Sequence, residues 1–183
     1  TTTFGGGSLA CAAGLAALKA VRDENLPANA EARGHQLMEG LRRLAARHSF
    51  IRDIRGQGLL LGLEFQRPPE STVALLKNLL PSDVGTFLVP GLDEMMEGLS
   101  ATYTMSVLLQ EHGIYTQVAR SNPRVLRVQP PLTITADEVS YFLKAIAESF
   151  SESEAIFSTL DNVIAKSVLG QHGGSLASSK APG

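Results

Sequence analysis

IRDIRGQGLLLGLEF, Ile51–Phe65, places two strand patterns next to each other in the chain. Ile51–Arg55 predicts one strand, and Leu59–Phe65 predicts a second strand that is largely buried. Between them, the glycine-rich Gly56–Gly58 predicts a turn or a bulge. The prolines that follow Arg67 end the second strand, so this part of the chain is predicted to begin a sheet.

Two helical patterns precede these strands. Ser8 is expected to cap the first helix, which runs through Arg22 and has a face of almost entirely small residues. That face consists of Leu9, Ala12, Ala13, Ala16 and Ala20. Asn25–Pro27 interrupts the pattern, and a second helix is predicted over residues 28–48. Its core-facing positions are Leu37, Met38, Leu41, Leu44 and Ala45.

The middle of the chain is interpreted as an insertion over residues 70–100. Its short apolar fragments are interrupted by prolines and glycines, such as Pro81 and Gly85, which break regular structure. A helix over Ala101–His112 is predicted to follow. Gly113 suits the end of that helix because glycine adopts the left-handed conformation of a C-terminal cap at little cost.

Two more strands and a helical region complete the pattern. Ile114–Val118 and Val125–Val128 predict strands that are joined by a polar turn. Thr135–Glu138 has the spacing of a capping box and opens a helix. The buried positions of that helix are predicted to be Val139, Phe142, Leu143 and Ile146. A last helix is predicted over Glu152–Leu169, and the Gly/Ser-rich residues 170–183 are expected to be disordered.

The order of these elements predicts the fold class. Two helices, two strands, an insertion, a helix, two strands and two helices follow one another along the chain. Each amphipathic helix has to bury its apolar stripe against another layer. We therefore expect an α+β fold, with a small, mainly antiparallel sheet and helices packed on one of its faces.

The composition is that of an ordinary globular chain and excludes several classes of function. The chain has 183 residues, a formal net charge of −2 and no tryptophan, which provides neither a basic nor a stacking surface for nucleic acid. Its single cysteine, Cys11, excludes a disulfide within the chain and indicates a reducing compartment. No apolar run approaches a membrane span, and the first lysine follows the apolar N-terminal region. We therefore expect a cytoplasmic protein with no membrane partner and no nucleic-acid partner.

The residues Thr2, Thr3, Gly5 and Gly6 lie at the entrance to the first helix. Threonine hydroxyls donate hydrogen bonds, and glycines allow backbone N–H groups to approach a ligand closely. The positive end of the helix dipole favours an anion, so the pattern is compatible with a bound phosphate. Short Thr/Gly runs are more often flexible termini, and this alternative stays open.

Arg127 is the second candidate site residue. It alternates with Leu126 and Val128 in a predicted strand, so its side chain faces the opposite side of the sheet. An unpaired buried charge is very costly, and the guanidinium must therefore reach an anion or solvent. A bidentate carboxylate is its natural partner. From the residues alone, a structural ion pair with an acidic side chain is the favoured interpretation.

Other potentially reactive groups are predicted to be structural. The 4 histidines lack the spacing of metal ligands, so no metal site is expected. Arg55–Gly58 is only faintly similar to a phosphate-binding loop, because the Lys-Ser/Thr pair of such loops is missing. Cys11 lies among alanines of the first helix, which indicates a small packed residue rather than a nucleophile.

Four stretches follow one another along the chain, and their order is more specific than any one of them: TTFGG with LACAAGLAAL, IRDIRGQGLLLGLEF, LLQEHGIYT and VLRVQPPLTITADEV. Together they resemble the C-terminal part of the class III, pyridoxal-phosphate-dependent aminotransferases, which include ornithine, acetylornithine, putrescine and 4-aminobutyrate aminotransferases. The resemblance spans residues 1–150 and skips the insertion. It implies the small C-terminal domain of a fold-type I enzyme over residues 26–150. Residues 1–25 would be the end of the large cofactor domain with a connecting helix, and residues 151–183 a C-terminal helix and tail.

The resemblance also implies a cofactor, two kinds of site and a partner. The implied cofactor is pyridoxal 5′-phosphate. Thr3 would bind its phosphate, and Thr2 would assist. Both residues would act in the active site of the neighbouring subunit of a homodimer. Arg127 matches the arginine that binds the substrate carboxylate, commonly that of glutamate or 2-oxoglutarate. The implied reaction moves an amino group between an amine or ω-amino acid and a 2-oxo acid.

The chain also departs from the family pattern. Gly7-Ser8 stands where the family usually has Asn-Pro. None of its lysines has the context of the Schiff-base lysine, which in the family precedes the Thr-Phe-Gly-Gly motif. We therefore expect the C-terminal portion of a longer enzyme, inactive by itself. Two alternatives remain: a non-catalytic dimerisation or interaction module that has the small-domain fold, and part of an aminomutase of the same family.

Overall fold

The computed structural model describes residues 5–67 and 97–172. Thr2 and Thr3, most of the insertion predicted over residues 70–100, and the tail from residue 173 onward lie outside the described residues. The described part contains four helices and four strands, which confirms the predicted α+β class.

The sheet has four strands in the spatial order β1-β2-β4-β3. The strands are β1 (Ile51–Gln57), β2 (Leu60–Phe65), β3 (Gln117–Val118) and β4 (Val125–Val128). Each neighbouring pair is antiparallel, as predicted from the order of elements. β2 and β4 are therefore the central strands, and β1 and β3 form the edges.

The four helices are α1 (Ser8–Asp23), α2 (Leu26–Ala45), α3 (Leu99–His112) and α4 (Ala136–His172). Asn25 separates α1 from α2 with a left-handed backbone at φ 51°. Gly113 ends α3 with φ 65°, as predicted for a glycine cap. The box at the start of α4 is also confirmed. The Thr135 backbone N–H donates to Glu138 Oε2 over 2.8 Å, and the Glu138 N–H donates back to Thr135 Oγ1 over 3.2 Å.

The core lies between one face of the sheet and the helices α2, α3 and α4. Alternate residues of the central strands are buried on this face, because side chains of a strand point in turn to opposite sides. They are Leu61, Leu63, Phe65, Leu126 and Val128. Helix residues that close over them include Leu37, Leu41, Leu108, Val139, Ile146 and Phe150. The helices are thus packed on one face, as predicted, and the other face of the sheet is left uncovered by helices of the described residues.

The turn between β1 and β2 lies later than predicted. Gly56 is paired with Leu61 inside the ladder, so β1 continues to Gln57 and the chain turns at Gly58-Leu59. A side chain at Gly56 would meet the Leu60 carbonyl oxygen at 2.1 Å, and its backbone has φ 143°. The glycine is therefore required for close strand approach, whereas Gly58, at φ 55°, makes the turn.

Three predicted helix and strand boundaries were wrong. Gly7 rather than Ser8 occupies the N-cap of α1 and makes no side-chain cap. Of the strand predicted over residues 114–118, only Gln117–Val118 pairs with β4. The two helices predicted after residue 135 are one continuous helix of 37 residues. The serines at its middle do not break it because the hydroxyls of Ser149 and Ser153 donate to backbone carbonyls four residues earlier.

Candidate functional site

The uncovered face of the sheet carries a row of polar residues at right angles to the strands. Arg55 of β1 pairs with Gly62 of β2, Gly62 with Arg127 of β4, and Arg127 with Gln117 of β3. Paired residues of antiparallel strands point to the same side, so the row combines two arginines, a glycine gap and an amide on one face. The alternation within β4 had predicted this direction for Arg127 from the sequence.

Arg127 is exposed and is held by a neutral partner. Its Nη2 donates to Gln117 Oε1, and Gln117 Nε2 donates to the hydroxyl of Tyr115 over 2.9 Å. Among the side chains that the structure describes, in residues 5–67 and 97–155, no carboxylate forms an ion pair with Arg127. The structural ion pair that the residues alone favoured therefore has no counterpart among the described side chains.

Gly62 leaves open the space beside the Arg127 side chain. A Cβ at this position would lie 3.3 Å from Val125 Cγ1 and 3.9 Å from the Arg55 carbonyl oxygen. Because Gly62 has no side chain, its backbone forms the floor of a shallow groove of about 530 Å³. The walls of this groove include Arg55 and Arg127. A small anionic group can therefore reach the Arg127 guanidinium from the uncovered face.

A second groove lies on the other side of Arg127, at the β3 edge of the sheet. It has a volume of about 390 Å³ and is lined largely by apolar side chains, with the polar groups of Tyr115, Thr116, Gln117 and Glu138 among them. Thr116 is buried, and its Oγ1 has no hydrogen-bond partner among the described residues. Arg127 thus lies between two open spaces rather than against a packed surface.

The neighbouring arginines of this face contact the carboxylate of Glu64, whose single negative charge offsets part of theirs. This carboxylate is buried at 7% exposure. It accepts hydrogen bonds from Arg55 at 2.6 Å and from Arg52 at 3.0 Å, and it lies 3.5 Å from Arg124. The hydrogen bond from Arg55 lowers the pKa of Glu64 below its ordinary value, despite the opposing effect of burial. Arg127 belongs to the same face but lacks such a counter-ion within the described part of the chain.

Glu64 is expected to make the fold sensitive to acid. Its folded-state pKa is lower than the unfolded value near 4.5, so its stabilising effect is present above that pH and is lost as pH falls through the lower folded pKa. Glu64→Gln should therefore destabilise the protein at pH 7. Below about pH 4.5, the variant should lose less stability on acidification than the unsubstituted protein does. Thermal unfolding of both proteins between pH 7 and pH 3 measures this. Parallel curves over the whole range would contradict it, and Glu39→Gln, in an exposed ion pair of α2, is the control.

The N-terminus of α1 is the part of the predicted phosphate site that the structure describes. The helix begins after Gly7 with no side-chain cap and with no acidic residue in its first turn. Its first backbone N–H groups therefore have no side-chain acceptor within the described residues, which leaves a helix end suited to an anion. Thr2 and Thr3, predicted to supply the hydroxyls, lie outside the described residues.

Comparison with known proteins identifies the family. The sequence model described as "Aminotransferase class-III" matches residues 1–150. The chain belongs to the class III aminotransferases. Aminotransferase PigE of Serratia sp. (strain ATCC 39006) is 31% identical over 165 residues, a match that covers 80% of this class III chain but 19% of PigE.

Solved structures agree with this assignment. The ornithine aminotransferase of Toxoplasma gondii ME49 is 31% identical, with a TM-score of 0.61, and the match covers 84% of this chain and 29% of that one. A PLP-bound amine transaminase from an uncultivated Pseudomonas species is 26% identical, with a TM-score of 0.58, over 82% and 29% of the two chains. This class III aminotransferase chain therefore spans less than a third of the length of these relatives.

The sequence pattern of this aminotransferase chain indicated Arg127 as a site residue but not the residues around it. Gln117, Gly62 and Glu64 were each predicted only as parts of strands, because their roles depend on which strands pair.

Among the described residues, no helix has the length and apolarity to cross a bilayer. Nor does this part of the chain bring together His, Cys, Asp and Glu side chains in a group that could hold a metal ion.

Proposed function

We propose that this chain is the carboxylate-binding part of a pyridoxal-phosphate-dependent aminotransferase. The protein would move an amino group between an amine or ω-amino acid and a 2-oxo acid such as 2-oxoglutarate. Arg127 would bind the carboxylate of the substrate. The observation that carries this proposal is the exposed Arg127 guanidinium, which faces an open groove and is held by an amide instead of a carboxylate.

Arg127 retains enough donors for this role. A guanidinium has five N–H donors, and one Nη2 hydrogen bond to Gln117 leaves the others for a ligand. Planar pairs of N–H groups match the two oxygens of a carboxylate, which gives both orientation and affinity. The gap at Gly62 provides the room in which a carboxylate would approach the guanidinium.

Pyridoxal phosphate would be bound in part at the N-terminus of α1. The uncapped end of that helix and its lack of first-turn acids fit a phosphate group. We propose that Thr3 donates its hydroxyl to this phosphate and that Thr2 assists. When bound, the cofactor supplies the electron sink for amino-group transfer. The residues of this chain would contribute binding and orientation, whereas the Schiff-base lysine would belong to another part of the enzyme.

The same proposal includes the quaternary structure and the division of the chain. Thr3 would serve the active site of the neighbouring subunit, so the enzyme would be a homodimer. Residues 1–25 would connect to the large domain, residues 26–150 would form the small domain, and residues 151–183 would follow it. Its location would be cytoplasmic. The apolar side chains of Leu9, Leu15 and Leu18, exposed on α1, support a role of this helix as a surface for other parts of the enzyme.

Amino-group transfer by the complete protein tests the proposed function. Supplied with pyridoxal phosphate, 2-oxoglutarate and a panel of ω-amino acids and amines, the complete protein should form glutamate. A polypeptide of these 183 residues alone should form none, because none of its lysines has the sequence context of the Schiff-base lysine of the family. Glutamate formation by the 183-residue polypeptide, or none by the complete protein with any donor, would contradict the proposal.

A further inference from the structure

We propose that Gln117 is a positioning residue that holds the Arg127 guanidinium without neutralising its charge. The inference rests on the proposed function, because it explains how Arg127 stays available to a substrate carboxylate. Gln117 would therefore determine both the direction of the guanidinium and the preference of the site for anionic substrates. Tyr115 would support it by anchoring the nitrogen end of the amide.

The hydrogen-bond chemistry of the three side chains allows one orientation of the amide. Arginine has no acceptor, so only the oxygen of the Gln117 amide can face the Arg127 Nη2. The amide nitrogen must then point the other way, where the Tyr115 hydroxyl accepts from it at 2.9 Å. Arg127 thus sets which end of the amide faces it, and the Tyr115 contact anchors the other end.

The backbone supports this arrangement from the other side. Gln117 and Arg127 are cross-strand partners, so their Cβ atoms lie about 5 Å apart on the same face. β3 is only two residues long, and its residue Gln117 carries the contact. Such a short edge strand has few backbone hydrogen bonds to β4. The side-chain hydrogen bond between Gln117 and Arg127 therefore adds a second contact between the two strands and orients the guanidinium.

A comparison with Glu64 explains why an amide is useful at this position. Arg52, Arg55 and Arg124 on the same face share the Glu64 carboxylate. That carboxylate offsets part of their positive charge, as Asp53 does for Arg55 at 3.0 Å, and reduces their attraction for another anion. An amide at residue 117 accepts the same kind of hydrogen bond but brings no charge. Among the described residues, the positive charge of Arg127 therefore meets no carboxylate, and Gln117 itself leaves that charge for a ligand.

Two substitutions at residue 117 separate positioning from simple stability. Gln117→Glu gives Arg127 a charged acceptor, so it should keep or raise the thermal stability while raising KM for 2-oxoglutarate by about tenfold or more. Gln117→Leu removes the acceptor and should raise this KM by about two- to tenfold. In both variants, KM for an amine donor without a carboxylate should be unchanged. Added salt should reduce the effect of Gln117→Glu, because ions screen the added charge.

The experiment is performed on the complete protein with two comparison variants. Gln110→Glu adds the same charge on the exposed surface of α3 and should leave KM unchanged. Arg127→Gln reports on the proposed function itself. If Arg127→Gln raises KM for 2-oxoglutarate but Gln117→Glu does not, the inference is wrong and the proposed function stands. If Arg127→Gln also has no effect, the assignment of Arg127 is wrong.

A binding measurement gives a readout besides turnover. Glutarate, an unreactive dicarboxylate, is titrated into the complete protein and its variants, and binding is followed by calorimetry. Affinity for glutarate should be highest in the unsubstituted protein, lower in Gln117→Leu and lowest in Gln117→Glu. A purely structural role would instead make affinity follow thermal stability, with Gln117→Glu equal to the unsubstituted protein. That result would overturn the proposal.

Discussion

Substitution of Arg127 by glutamine is expected to raise KM for 2-oxoglutarate by about 10- to 100-fold in the complete enzyme. The range follows from the loss of a charged hydrogen-bonded contact of about 1.5–3 kcal/mol, at about 1.4 kcal/mol for each factor of ten. The change should be confined to substrates with a carboxylate, because the guanidinium is the group that recognises it. Steady-state kinetics with 2-oxoglutarate and with a donor that lacks a carboxylate measure both effects.

Two further variants define what Arg127 contributes. Arg127→Lys keeps the charge but lacks the planar pair of donors, so it should recover only part of the lost affinity. Arg52→Gln is the matched control, because Arg52 lies on the same side of the sheet but contacts Glu64 at 3.0 Å. It removes the same charge and should leave KM within about twofold, since the field of an exposed charge is largely screened. An unchanged KM in Arg127→Gln would rule out the proposed role of this arginine.

Local sequence signals predicted the elements whose causes are local. The Thr135–Glu138 capping box and the strand Val125–Val128 were found at the predicted residues, since each depends on contacts or alternation within a few positions. The direction of Arg127 followed from the same alternation. The α+β class followed from the order of elements, which limits how apolar faces can be buried.

The remaining features depend on contacts between distant parts of the chain. The glycine at residue 56 indicated a turn, but its close approach to Leu60 keeps it in the ladder. The serines near residue 150 indicated a helix boundary, but Ser149 and Ser153 are buried and bonded within α4. Gln117 reaches Arg127 only because β3 pairs with β4. No pattern within residues 114–118 specifies that register, so this part of the candidate site needed the structure.

Gly34 is expected to be the position in α2 where an added methyl group is most damaging. A Cβ on Gly34 would lie 2.3 Å from the carbonyl oxygen of Gly58 and 2.6 Å from its Cα. Both atoms belong to the backbone of the turn between β1 and β2, which cannot move without displacing the strands. Gly34→Ala should therefore lower the free energy of unfolding by about 3 kcal/mol, at the upper end of the range for overpacked cores.

Gly40 of the same helix provides the matched control, because it is also buried and also in close contact. There, an added Cβ would meet the δ-methyl groups of Leu143, the nearest at 2.3 Å. A leucine side chain that is only partly buried can change rotamer, so this clash is relieved without backbone movement. In addition, alanine is favoured over glycine in a helix by about 1 kcal/mol. Gly40→Ala should therefore cost at most about 1 kcal/mol.

Urea unfolding of the complete protein and of both alanine variants compares the two positions directly. The difference between Gly34→Ala and Gly40→Ala isolates the backbone clash, since helix propensity contributes equally to both. Because the turn joins the two strands that carry Arg55 and Gly62, Gly34→Ala should also weaken glutarate binding, whereas Gly40→Ala should not. Equal losses of stability in the two variants would mean that the turn yields as easily as a leucine side chain. The contact between α2 and the turn would then not fix the position of the β1–β2 hairpin, which carries Arg55 and Gly62 of the groove beside Arg127.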